Sequence, residues 1–189
     1  MSPRPRGPLQ VGEAGEPAAA AGRGLALAYA LINRRERTVA EVHARLERAG
    51  VEAAEAAMAV AELLGYGYLD DGRYARVFTQ DKRTLEGWGN GRIARALQAR
   101  GVAGEVIEAA LTASDSEAGE AGDREAGGAA GGSSTTDELR RALALLRRRF
   151  PGGPAQPADR RRAFGVLARK GYESETAADA VREWARGSA

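Results

Sequence analysis

The chain has 189 residues, 43% of them hydrophobic and only 5% aromatic, so any core must rest on Leu, Val, Ile and Ala. It contains no Cys, which excludes disulfides and thiolate metal sites, and it has no apolar run of membrane-spanning length. Its net charge is only +2, yet ten Lys or Arg residues stand against a single acid, Asp159, between Leu139 and Lys170, while many of the acids gather between Asp115 and Glu125. That asymmetry points to an electrostatic face for an anionic partner, and the composition as a whole to a soluble, cytoplasmic protein.

In chain order, residues 1–24 are rich in Pro, Gly and Ala without periodicity, and they read as a disordered extension lacking an apolar signal core. Residues 25–66 form a first three-helix repeat, with helices expected over 25–35, 39–49 and 53–64. Residues 67–113 form a second, with helices over 72–85, 91–100 and 104–113. Residues 114–136 are an acidic, Gly-rich tract that buries little apolar surface and reads as a flexible linker. Residues 137–189 form a third repeat, with helices over 137–150, 158–170 and 174–186. Ala and Leu favour helix, and no alternating apolar pattern calls for a strand. The predicted fold is all-α: three tandem three-helix repeats in an elongated, curved arrangement.

The repeat shows when the second helices are aligned. Each ends in Leu-x-x-x-Gly-Φ: Leu46/Gly50/Val51, Leu97/Gly101/Val102 and Leu167/Gly171/Tyr172. Glycine enters the left-handed conformation at low cost, and the next residue then folds back onto the Leu four positions before the Gly. The third helices also align, with Ala56/Val60, Ile107/Leu111 and Ala177/Val181 placed four apart on one face. Glycine-to-glycine spacings are 51 and then 70 residues, and the excess is close to the length of the acidic tract. First helices carry Leu27/Leu31, Tyr74/Val77/Phe78 and Leu139/Leu143/Leu146, and second helices Val39/Val42/Leu46, Ile93/Leu97 and Phe164/Leu167. Thr38-x-x-Glu41 has the spacing of a capping box.

Few residues point to catalysis. The one histidine, His43, borders the core of the second helix with no partnered nucleophile, and reads as structural. Asp70-Asp71 precedes a helix and reads as a cap, since no further ligand cluster accompanies the pair. The stretch from Gly87 through Trp88 to Arg92 is Gly-rich but lacks the Lys-Ser/Thr pair and the preceding strand of a phosphate loop; it reads as a connector whose Trp88 packs between repeats. No catalytic residue, metal site or cofactor is expected. The basic residues are the binding candidates: Arg92, Arg95, Arg140, Arg141, Arg147, Arg148, Arg160, Arg161, Arg162 and Lys170. Three arginines opening a helix oppose its dipole, so Arg160 to Arg162 ask for a reason outside that helix.

Gly67-Tyr68-Leu69-Asp70-Asp71, Arg73-Tyr74-Ala75, Phe78, Gly87, Arg92-Ile93, Leu97 and Arg100-Gly101-Val102 together resemble the RecX family of recombinase regulators. The closing stretch from Leu167 to Tyr172 fits that family's terminal pattern. A monomer is the simplest expectation for a repeat chain with capped ends. The resemblance implies a tandem three-helix protein that binds the RecA filament on single-stranded DNA. It also implies inhibition of that filament's ATPase, co-protease and strand-exchange activities, with DNA contacted directly in some members. The competing expectation is a helix-turn-helix-like regulator that reads duplex DNA by itself.

Overall fold

The computed structural model describes residues 22–122, 134–154 and 156–187; the expected N-terminal extension lies almost wholly outside them, as does the middle of the acidic tract. Among the described residues there are nine helices and no strand. The first unit comprises α1 (Arg23–Ile32), α2 (Val39–Arg48) and α3 (Ala53–Gly65). The second comprises α4 (Asp71–Glu86), α5 (Asn90–Gln98) and α6 (Gly104–Gly122). The third comprises α7 (Ser134–Arg149), α8 (Pro157–Lys170) and α9 (Ser174–Arg186). Helix α6 runs nine residues past its expected end at 113, and α7 begins three residues before its expected start. Ala and Glu within 114–122 favour helix, and that propensity extends α6 where composition alone suggests a linker.

Each unit has its own apolar cluster. Leu25, Ala28, Val42, Leu46, Ala56 and Leu63 centre the first, Ala75, Ile93, Leu97, Ile107 and Leu111 the second, and Leu146, Leu167, Ala177, Ala180 and Trp184 the third. The three glycine ends have the geometry their spacing predicts. Gly50, Gly101 and Gly171 have φ of 73°, 77° and 85°. Val51, Val102 and Tyr172 donate their N–H to the carbonyls of Leu46, Leu97 and Leu167 at 3.1, 3.2 and 3.2 Å. The apolar side chain after each glycine is buried, completing the Schellman contact.

Two expected core positions are displaced. Val77 and Phe164 are exposed, and the buried faces run instead through Ala75 and Thr79 on α4 and through Ala163 and Leu167 on α8. Small residues let the helices approach closely, which turns the larger neighbour outward. The Thr38 half of the expected capping box forms, with its hydroxyl accepting from the Glu41 N–H at 3.1 Å. Glu41 directs its carboxylate to Arg35 and Arg37, at 3.3 and 3.6 Å.

Candidate partner-binding surface

The units meet at two junctions, and both are built from a helix N-terminus on one side and a glycine end on the other. At the first, the Thr38 hydroxyl donates to the Arg100 carbonyl at 2.7 Å, and the N–H of Val39, the first residue of α2, donates to Asp71 Oδ1 at 2.9 Å. A Cβ added at Gly101 would stand 2.3 Å from Ala40 Cβ, so the glycine allows the approach as well as the turn. Asp70 is the local cap of α4, accepting from the Arg73 N–H at 2.8 Å. Asp71 therefore acts across units, whereas the sequence suggests a cap on its own helix.

At the second junction the Gly89 N–H donates to the Lys170 carbonyl at 2.9 Å. The N–H of Asn90, the first residue of α5, donates to Glu138 Oε1 at 2.8 Å. Asn90 Oδ1 accepts from Arg83 and Arg141 at 2.8 and 3.2 Å. Arg92 lays its guanidinium 4.0 Å from the centre of the Trp88 ring and donates to the Arg169 carbonyl at 3.0 Å. Lys170 donates to the Glu86 carbonyl at 2.5 Å, while the Glu86 carboxylate is paired with Lys82. A Cβ at Gly89 would fall 2.6 Å from the Tyr172 nitrogen, and one at Gly171 only 2.2 Å from Arg92 Cβ. The Gly-rich stretch after α4 is thus a backbone-to-backbone seat for the third unit.

Burial tunes the groups at this seat. Desolvation raises the Glu138 carboxyl above its usual range, with the Asn90 N–H and the Arg141 and Arg83 charges opposing and Glu173 adding. Desolvation pushes the Tyr172 hydroxyl up to about 12, so it stays neutral at physiological pH. Hydrogen bonding to Lys82 holds the Glu86 carboxyl below its usual range.

The ten candidate cations therefore divide. Arg92, Arg141 and Lys170 turn into the second junction and hold the units together. Arg95, Arg140, Arg147, Arg148, Arg160, Arg161 and Arg162 are exposed. Of these, Arg140 is paired with Asp137 at 2.8 Å and Arg162 with Asp159 at 3.4 Å. Six of the seven lie on the third unit, on α7 and the first turns of α8. His43 stands beside Glu47, its Nδ1 3.4 Å from Oε1, on the surface of α2. Charge and helix position single out the cations but miss Asp71, Glu138, Thr38 and Gly89, whose roles appear only when two units are brought together.

Residues 70–111 match the model of the RecX second three-helix domain. Across 151 residues the chain is 32% identical to the regulatory protein RecX of Trichlorobacter lovleyi, covering 78% of this chain and 86% of that one. The chain belongs to the RecX family. The regulatory protein RecX of Halorhodospira halophila is 36% identical over 151 residues, covering 78% of this chain and 80% of that relative. In fold, the chain is similar to the crystal structure of RecX from Lactobacillus salivarius, with a TM-score of 0.67 at 15% identity over 88% of this chain and 97% of that one. The RecX domain match spans α4, α5 and the first eight residues of α6, in the unit that takes part in both junctions. The family is one of regulatory proteins, and among the described residues no helix is long and apolar enough to cross a membrane.

Proposed function

We propose that this chain binds the filament that the RecA recombinase forms on single-stranded DNA and inhibits its ATPase, co-protease and strand-exchange activities. Membership of the RecX family carries this reading, because RecX relatives match about four-fifths of the chain. The architecture supports it: three units in series offer several points of contact, and the exposed arginines of α7 and α8 offer charge to an acidic protein surface or to DNA phosphates. The chain works by occupancy, without catalysing a reaction, as a monomer in the cytoplasm. The rival reading is duplex recognition by a helix that follows one of the glycine turns, α3, α6 or α9, and it calls for site-specific duplex binding without a recombinase.

The test is DNA-dependent ATP hydrolysis by the cognate recombinase on single-stranded DNA, with the folded chain titrated in. Inhibition at well under one chain per recombinase subunit is the expected result. No inhibition, together with site-specific binding to duplex DNA alone, would replace this reading with the duplex regulator.

A further inference from the structure

Helix α1 is more apolar than its surroundings allow. From Gly24 to Ile32 it carries no charged residue, whereas α4 and α7, which open the other two units, carry several each. A helix that is apolar all round belongs inside a protein. Yet only Gly24, Leu25 and Ala28 of α1 are buried, while Ala26 and Ala30 are exposed and Leu27, Tyr29, Leu31 and Ile32 are partly covered. The neighbouring α3 and the turn after it continue the open surface. Met58 and Tyr66 are 66% and 65% exposed, and Tyr68 stands in solvent beside them in sequence. The tyrosine rings join the two elements, at 5.7 Å between Tyr29 and Tyr68 and 6.2 Å between Tyr66 and Tyr68. Apolar groups gathered in this way mark a surface that something else covers.

The same face is acidic. Residues 24–33 and 49–66 hold no Lys or Arg, and their charged residues are Glu52, Glu55 and Glu62. Met58, Glu62 and Tyr66 stand four apart on one ridge of α3, with Glu55 three residues before it. Glu62 lies beside the rings: burial first and then its charge raise the Tyr29 hydroxyl above its ordinary value. The polypeptide enters at the other end of this ridge. Gly24 donates its N–H to Glu55 Oε1 at 2.6 Å, and a Cβ added at Gly22 would lie 2.5 Å from that oxygen. The chain before Gly22 therefore departs from α3 itself, about 10 Å along the helix from Glu62 and about 16 Å from Tyr66.

We propose that the chain's own residues 1–21 cover this face, with the Pro-Arg-Pro-Arg stretch at 3–6 laid over Met58, Glu62 and the tyrosines. The chemistry is complementary: Arg4 and Arg6 meet the carboxylates, and Pro3, Pro5 and Pro8 meet the rings. Proline-rich segments dock on aromatic surfaces at small entropic cost, because their extended form is largely set before binding. Reach is ample, since the chain from Arg6 to Gly22 spans up to about 50 Å when extended. The tether also supplies an effective concentration in the millimolar range, so a modest contact suffices. This inference uses no part of the recombinase reading and stands apart from it.

The chain has two methionines, Met1 and Met58, and no cysteine, which makes the contact directly readable. The full chain is prepared with isotope-labelled methionine methyls and a nitroxide on G7C, and its two methyl resonances are recorded. The Met58 signal is expected to lose most of its intensity and to recover it when the nitroxide is reduced. In the R4E/R6E background, which alters no residue of the three units, Met58 should keep most of its intensity while Met1, close to the label in sequence, stays broadened. An undiminished Met58 signal without the charge reversal would overturn the inference. So would equal loss with it, which would report the tether alone. Loss in a mixture of nitroxide-bearing chains and separate isotope-labelled chains would assign the face to a second copy, and a Met58 signal that changes only when the cognate recombinase is added would assign it to that partner; either result would overturn the inference too.

Discussion

The chain passes from the first unit to the second through residues 66–70, and from the second to the third through a gap of more than twice that length, residues 123–133. The two junctions differ in the opposite sense. The first rests on Thr38, Asp71 and the Gly101 approach to Ala40, with a 4.0 Å ion pair between Arg73 and Glu36. The second adds, across the units, Arg92 on Arg169, Lys170 on Glu86, and Arg141 on Asn90. Each added hydrogen bond contributes about 1 kcal/mol net. The extra bonds fix the orientation of the third unit as well as its attachment. The shorter separation in sequence thus goes with the sparser contact and the longer one with the denser.

The three capping glycines break this comparison most directly, because they share one φ and differ in what stands opposite. Gly50→Ala carries only the backbone cost, about 1–2 kcal/mol. Gly101→Ala and Gly171→Ala add a collision with Ala40 and Arg92 respectively. Thermal unfolding should therefore rank Gly50→Ala well behind the other two. Small-angle scattering should show expansion for Gly171→Ala and little for Gly101→Ala, whose unit is held by the short connection. Equal losses in all three would mean that docking adds nothing to the cap.

The next contrast is between the two carboxylates that cap a neighbour's helix. Asp71→Ala and Glu138→Ala each leave a first-turn amide without its partner, for about 1 kcal/mol in stability. The expected difference lies in shape. Loss of Glu138 also frees Asn90 beside Arg83 and Arg141, so scattering should report a looser third unit for this variant alone.

Acidity gives a further handle on Glu138. The Glu138 carboxyl is raised by desolvation, so the folded protein holds its proton more tightly than the unfolded chain does. Its contribution favours folding below the unfolded value of 4.5, and it is lost as pH rises from there through the higher folded value. Glu138→Gln lacks that decline, so the difference between variant and wild-type stability should shift in the variant's favour as pH rises across this window. A difference that is flat with pH would place the raised affinity elsewhere.

How much of this was legible in the sequence follows from range. The glycine ends at 50, 101 and 171 were readable because Leu, Gly and the apolar residue after it act within one helix turn. The junctions were not, because Asp71 is the first residue of α4 and Glu138 the fifth of α7. No common spacing marks two carboxylates that do the same work. Charge counting reaches its limit at a similar point. Arg92 and Arg95 lie three apart on α5, yet one is drawn inward by Trp88 and the end of α8 while the other stays in solvent. What stands opposite a side chain decides its role, and that is a property of the assembled units.

The arginines give the smallest expected effect on stability and the sharpest division between holding and binding. Arg160 and Arg161 are exposed, and Arg162 has only its surface pair with Asp159. Neutralising all three with glutamine removes charge from the first two turns of α8, toward the end where a helix dipole disfavours it, so stability should change by about 0.5 kcal/mol or less per site. If that face meets an anionic surface, filament binding should weaken and its salt dependence flatten, because fewer ions are exchanged on contact. Arg92→Gln should behave in the opposite way, loosening the third unit and lowering the unfolding temperature through the lost Trp88 and Arg169 contacts. Should the α8 triple variant bind with undiminished strength and an unchanged salt slope, the exposed basic face would be a solvated surface, and the interaction would have to run through other sides of the array.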